Sequence, residues 1–112
     1  NCNDPAHDVF IAHIKNEPAG IILLHPKGIA GSPYIKSIAV DLHYRNKGVG
    51  RELMRFAEGY AANISRHLFL CVSSFNTAAQ DFYRQLGYAQ VGAFDNYIKE
   101  GASELLLYKR MV

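Results

Sequence analysis

Ile38-Ala39-Val40-Asp41-Leu42-His43-Tyr44-Arg45-Asn46-Lys47-Gly48-Val49-Gly50-Arg51 decides the architecture, because the periodicity changes partway along it. Ile38, Ala39 and Val40 are apolar on consecutive positions, which predicts the end of a strand covered on both faces. From Gly48 onward, Val49, Leu53, Phe56, Ala57, Tyr60, Ala61 and Ile64 recur at three- and four-residue steps. Arg51, Glu52, Arg55 and Glu58 fall mostly on the other side, so this segment is predicted to be an amphipathic helix. Strand, glycine-containing turn and helix therefore follow one another directly.

Upstream, Val9 to Asn16 and Gly20 to Leu24 are two short apolar runs around Asn16-Glu17-Pro18, the pattern of an antiparallel hairpin. Pro26 to Pro33 reads as a loop by its turn residues, and Tyr34 to Val40 as a third strand. Downstream, His67 to Ser73 is a fourth strand. Asn76 opens a second helix that carries Ala79, Phe82, Tyr83 and Leu86 on one side, with Gly87 as its stop. Ala89 to Ala93 and Glu104 to Lys109 close the chain as two strands. The predicted class is α/β (α+β), in the order β-β-β-α-β-α-β-β, with a mixed, mostly antiparallel sheet and helices packed on it.

The 112 residues suit one domain, 1–112, and leave little room for two cores. Apolar residues at 49% and charged residues at 20% match ordinary globular chains rather than disordered ones. A net charge of +2 with scattered basic residues gives no phosphate-tracking stripe, so no nucleic-acid partner is expected. No apolar run approaches the roughly 18 residues that span a bilayer, so no membrane partner is expected either. Cys2 and Cys71 lie far apart and Cys71 sits inside an apolar run, which favours free thiols and a reducing, cytoplasmic setting. The five histidines lack the close spacing of ligand pairs, and no metal is expected. The start, Asn1-Cys2-Asn3, has no Met and is read as processed, trimmed or incomplete.

A helix start presents backbone N–H groups without intrahelical acceptors, and its dipole favours anions. Gly48 and Gly50 let the backbone approach a phosphate, while Arg45 and Lys47 add charge. By itself this is an ordinary turn with two glycines. It lacks the dinucleotide fingerprint, since position 53 is Leu, and the P-loop pattern, since no Gly-Lys-Ser/Thr follows.

In its context, Arg45-x-x-Gly48-x-Gly50 resembles the signature of the GNAT N-acetyltransferase superfamily. Asn76-Thr77-Ala78-Ala79 through Phe82-Tyr83 to Leu86-Gly87-Tyr88 is similar to that superfamily's second conserved helix. Asp95-Asn96-Tyr97-Ile98 to Glu104–Lys109 is similar to the closing strand pair of small bacterial members. The likeness covers about two thirds of the chain, from Ile38 onward. It departs at the front, where the family's usual strand and two helices, which commonly wall the acceptor site, have only Asn1 to Asp8 in their place.

The resemblance implies acetyl-CoA as cosubstrate and an amine as acceptor. Backbone groups of Ile38, Ala39 and Val40 would pair with the pantetheine arm. An N–H near Val40 would face the thioester oxygen, and Arg45, Asn46, Lys47, Gly48, Val49, Gly50 and Arg51 would hold the pyrophosphate. Asn76 would bond the arm, and Tyr83 would be the general acid for the departing thiolate. By spacing alone Tyr83 suits a core aromatic equally well. The base is open among water held at Ser37 or Ser73, His13 and Glu104, and Cys71 is not expected to act as a nucleophile. Three functions are weighed: an active N-acetyltransferase, a catalytically silent CoA-binding sensor or regulatory module, and a nucleotide-binding domain. A second copy of the chain is a candidate partner, since so short a chain buries a modest share of its surface.

Overall fold

The computed structural model describes residues 8–29, 31–45, 47–96 and 100–111. Its strands are β1 (Asp8–Ile14), β2 (Glu17–Ile29), β3 (Ser32–Val40), β4 (His67–Ser73), β5 (Ala89–Asp95) and β6 (Ser103–Arg110). The helices are α1 (Val49–Ala62) and α2 (Thr77–Gln85), preceded by a one-turn 3-10 segment over Leu42–Tyr44. The expected β-β-β-α-β-α-β-β order is the one observed. The sheet runs β1-β2-β3-β4-β6-β5. Its pairs are antiparallel except β3 with β4, which run parallel.

Several boundaries differ from the sequence expectation, for local reasons. The first hairpin turns at Lys15 and Asn16, both at positive φ (51° and 69°), the backbone twist a two-residue hairpin connection prefers. Pro18 is therefore inside β2, opposite His13 and next to an irregularity in register, where a missing N–H is tolerated. Pro26-Lys27-Gly28 is not loop but strand. The ladder is interrupted between His25 and Ile29, and Gly28 lies so close beneath Tyr34 that a Cβ there would meet Tyr34 Cβ at 2.6 Å. The 3-10 turn was not anticipated; Asp41 caps it by accepting from the His43 N–H at 2.9 Å.

Alternation along β4 sorts the sheet's two faces. Leu68, Leu70 and Val72 are buried, while Phe69, Cys71 and Ser73 are half-buried on the opposite side. The buried side joins Ile22 and Leu24 of β2, Leu107 of β6, the apolar stripe of α1 and Tyr83 of α2 in one core. On α1 that stripe is Val49, Leu53, Met54, Ala57 and Ala61. Phe56 and Ile64, expected on it, are instead 55% and 39% exposed. Phe56 packs edge-on against Phe10 of β1, with ring centroids 4.8 Å apart. The second helix ends in a Schellman arrangement: the Gly87 N–H donates to Arg84 O and the Tyr88 N–H to Tyr83 O, with Gly87 at φ +98°. The Tyr83 and Tyr88 rings meet edge to face across this cap. No helix among the described residues is long and apolar enough to cross a membrane.

The splay between β3 and β4 positions the site. β3 and β4 pair through Tyr34–Phe69 and Ile35–Leu70. Beyond those rungs Lys36–Val40 and Cys71–Ser73 diverge, with no further pairing between them among the described residues. Strand amides alternate in direction, so part of the β3 backbone past Ile35 faces the opening without a ladder partner.

Candidate functional site

The opening between β3 and β4 leads into a cavity of about 610 Å³ on the helix side of the sheet. Ile38 and Val40 form one wall, Arg45 and the α1 start (Gly48 to Arg51) form the end, and Ala79, Phe82 and Tyr83 of α2 form the other wall. Gly48 is the N-cap of α1 at φ +83°, and no side chain among the described residues caps the helix there. The first-turn amides of Val49, Gly50 and Arg51 therefore lack intrahelical acceptors where the cavity reaches them. A Cβ placed on Gly50 would stand 3.4 Å from Phe82 Cζ and 3.7 Å from Val40 Cγ2, so the absent side chain keeps this end of the cavity wide. Arg45 remains exposed, and its Nε–H donates to Val40 O at 3.3 Å, which ties the turn back to the strand end. Together these features make an anion cradle at a helix N-terminus.

The structure gathers most, but not all, of the residues singled out in the sequence. Ile38, Val40, Arg45, Gly48, Val49, Gly50, Arg51 and Tyr83 border the cavity. Ala39 does not; it is exposed on the other face of the sheet, opposite Ile21 of β2. Lys47 is exposed outside the cavity lining, and Asn46 lies outside the described residues. So do Cys2, His7, Tyr97 and Ile98. Asn76 borders an adjoining hollow rather than the main cavity. Its Oδ1 accepts from the Ala79 N–H at 3.1 Å as the α2 N-cap, which leaves its Nδ2 as the remaining donor.

Tyr83 is 7% exposed, and its hydroxyl has no hydrogen-bond partner among the described residues. Burial pushes its pKa above the ordinary 10.0. The hydroxyl thus stays protonated at neutral pH, and a buried, unpaired O–H beside a cavity is a proton donor with nothing else to bond.

The adjoining hollow, about 290 Å³, occupies the gap between the diverging strands and shares Ile38, Ala79 and Tyr83 with the main cavity. Ser37, Cys71, Ser73 and Glu104 border it. His13 stands on β1, with two strands between it and β4, and borders neither space. Phe82 and Tyr44 border the main cavity and were not singled out as site residues in the sequence. The helical spacing of Phe82 marks it equally as core, and the close approach to Gly50 exists only once α1 and α2 are packed. Among the described residues no group of three or more His, Cys, Asp or Glu is gathered as a metal centre needs.

The profile of the acetyltransferase (GNAT) family matches residues 1–88. An uncharacterized N-acetyltransferase of Methanocaldococcus jannaschii is 29% identical over 103 residues, 90% of this chain and 65% of that protein. The streptothricin acetyltransferase of Streptomyces lavendulae is 37% identical over 81 residues, 69% of this chain and 42% of that protein. The chain thus spans less than two thirds of the length of either relative. Among solved structures, nourseothricin acetyltransferase superposes with a TM-score of 0.87 at 26% identity, covering 97% of this chain and 68% of that one. A candidate streptothricin acetyltransferase of Bacillus anthracis, solved with acetyl coenzyme A, gives 0.86 at 28% identity, over 98% of this chain and 65% of that one.

Proposed function

Since this chain belongs to the acetyltransferase (GNAT) family, we propose that it moves an acetyl group from acetyl-CoA to a primary amine by direct attack on the thioester. The observation that carries this reading is the uncapped start of α1, with Gly48 at φ +83°, opening on the same cavity that Tyr83 borders. In this reading the amides of Gly48 to Arg51 and the Arg45 guanidinium hold the pyrophosphate, with Asn46 and Lys47 completing the turn. The pantetheine arm extends along β3, pairing with backbone groups of Ile38, Ala39 and Val40, and takes a bond from Asn76 Nδ2. A backbone N–H near Val40 faces the thioester oxygen as charge develops on it.

The carbonyl carbon gains its bond to nitrogen as the carbon–sulfur bond breaks, and Tyr83 gives its proton to the departing thiolate. Nothing covalent between enzyme and acetyl group is required, so holding the reactants in line supplies much of the acceleration. The reading includes no metal, no nucleic acid and no membrane. It sets the molecule in a reducing, cytoplasmic compartment, to which the free thiol of Cys71 is suited. It treats residues 1–112 as one catalytic domain and admits a second copy as partner, supported by Ile11 and Ile21, register neighbours that are 51% and 39% exposed. A monomeric mass at micromolar concentration would count against the dimer.

The deciding experiment follows thiol release from acetyl-CoA across a panel of primary amines, beside calorimetric titration with CoA and ATP. Turnover on an amine with a preference for CoA supports the reading. CoA binding with no turnover on any amine favours a silent sensor, and a preference for ATP removes both.

A further inference from the structure

The gap between β3 and β4 reaches through the sheet and is bordered by Glu104, one of the groups the sequence leaves open as the base. Ser73 of β4 and Glu104 of β6 are direct cross-strand neighbours, so their side chains share the sheet face away from the helices. Ser73 Oγ donates to Glu104 Oε2 at 2.6 Å, which fixes one carboxylate oxygen and leaves the other uncommitted. The backbone on both sides of this pair is pinned. Gln80 Nε2 of α2 donates to Ser73 O and Ser74 O at 3.1 and 3.0 Å. The Ser74 N–H donates to Ser103 O at 2.8 Å, and the Ser103 N–H donates to Ser74 Oγ at 2.9 Å.

Glu104 forms no ion pair with any described residue, although it is half-buried. A carboxylate partly withdrawn from water and lacking a counter-charge is a site for an arriving cation. The groups around it are Lys36 of β3, the Cys71 thiol of β4 and the Tyr83 hydroxyl of α2, all bordering the same hollow. From β5 come Phe94, directly across from it, and Asp95 one rung further, which accepts from Ser103 Oγ at 2.7 Å.

Resting on the acetyl-transfer reading above, we infer that Glu104, oriented by Ser73, receives the ammonium group of a cationic primary amine and takes its proton. The acceptor then enters from the sheet face away from α1 and α2 while acetyl-CoA occupies the helix side, and the two meet at Tyr83. The nitrogen arrives with three protons and leaves in the amide with one. It loses the first to Glu104, attacks the thioester carbon, and loses the second as the amide forms. Of the two, one replaces the proton that Tyr83 delivers to the thiolate and the other passes to solvent.

The test uses the full chain, its Glu104→Gln and Glu104→Asp variants, and the best amine of the panel. Glu104→Gln is expected to lower kcat/KM about hundredfold near neutral pH. That loss should shrink as the medium approaches the amine's own pKa near about 10, where solution supplies neutral amine. Affinity for acetyl-CoA should stay within about twofold, and Glu104→Asp should recover part of the loss. A loss constant across pH, a loss matched by weaker acetyl-CoA binding, or no loss at all overturns the inference. Should the wild-type chain acetylate no amine, calorimetry of 1,4-diaminobutane with the CoA-saturated protein decides instead. Binding abolished by Glu104→Gln sustains the acceptor role apart from the chemistry, and binding absent or indifferent to the variant ends it.

Discussion

Gly50 of α1 faces Phe82 of α2 so closely that a methyl group at position 50 would stand 3.4 Å from Phe82 Cζ, at ordinary contact distance. The native fold therefore tolerates alanine there, and the space it fills is the one the proposed function gives to acetyl-CoA. Gly50→Ala is expected to leave the melting temperature unchanged or to raise it, since alanine favours a helix over glycine by up to about 1 kcal/mol. Affinity for acetyl-CoA should fall about tenfold as the closest backbone approach is lost. Thermal unfolding and calorimetry on the same sample separate the two effects, and unchanged affinity would take Gly50 out of the cradle.

Gly48 presents the opposite case. Among the described residues nothing lies within 4 Å of a Cβ placed on it, yet its φ is +83°. The cost of Gly48→Ala is thus backbone strain, about 1–2 kcal/mol. Gly48→Asn should recover much of the loss, because asparagine enters the left-handed region more readily. Chemical denaturation of the two variants checks this ordering, and equal stabilities would contradict it.

Tyr83→Phe removes a hydroxyl that bonds to no described residue, so folding should change little and acetyl-CoA affinity should stay within about twofold. Turnover should drop about hundredfold, the usual scale for a lost general acid. Burial holds the Tyr83 pKa above the ordinary 10.0, so the proton-donating form persists through the neutral and mildly alkaline range. The alkaline loss of kcat assigned to this group should accordingly lie above about pH 10. Unchanged turnover in Tyr83→Phe sinks the role.

Tyr88, Glu58 and Lys109 tie the end of α2 to α1 and β6. The Tyr88 hydroxyl donates to Glu58 Oε2 at 2.8 Å, and Lys109 Nζ donates to Glu58 Oε1 at 3.0 Å. Burial first, then the Glu58 carboxylate, raise the Tyr88 pKa far above its ordinary 10.0. With the folded value raised, this stability is fully present below about pH 10 and is lost as pH climbs beyond it. Tyr88→Phe should cost about 1.5–3 kcal/mol at neutral pH, as for a hydrogen bond to a charged group. It should also flatten the alkaline fall in stability, which urea titrations across pH would reveal.

How much of this was legible in the sequence follows from how local each determinant is. The strand–turn–helix at Ile38 to Arg51 is written in a change of period and two glycines within a few residues, and its reading agrees with the structure. The second helix is bounded by a capping Asn76 and a stopping Gly87, again local signals. Pro26 to Ile29 misled because turn residues sit in an irregular strand stretch, which Tyr34 across the hairpin covers. Met54 and Phe56, two positions apart, flank the α1 stripe on opposite sides, and packing rather than periodicity buries Met54 while Phe56 meets Phe10 of β1. Glu104 and Ser73 stand 31 residues apart in sequence. Their partnership is a matter of register between β4 and β6, and no spacing within either segment announces it.

The two-rung contact between β3 and β4 also divides the molecule by sequence. In the sheet β1, β2 and β3 lie on one side of it, and β4, β6 and β5 on the other. Along that line the two parts are joined by the two rungs, by the packing of the helices and by the bonds from Glu58 to Tyr88 and Lys109. A molecule lodged in the gap touches both parts and acts as an added stitch. Its binding free energy must therefore reappear as resistance to the parting of the two segments, growing with the logarithm of its concentration once that exceeds Kd.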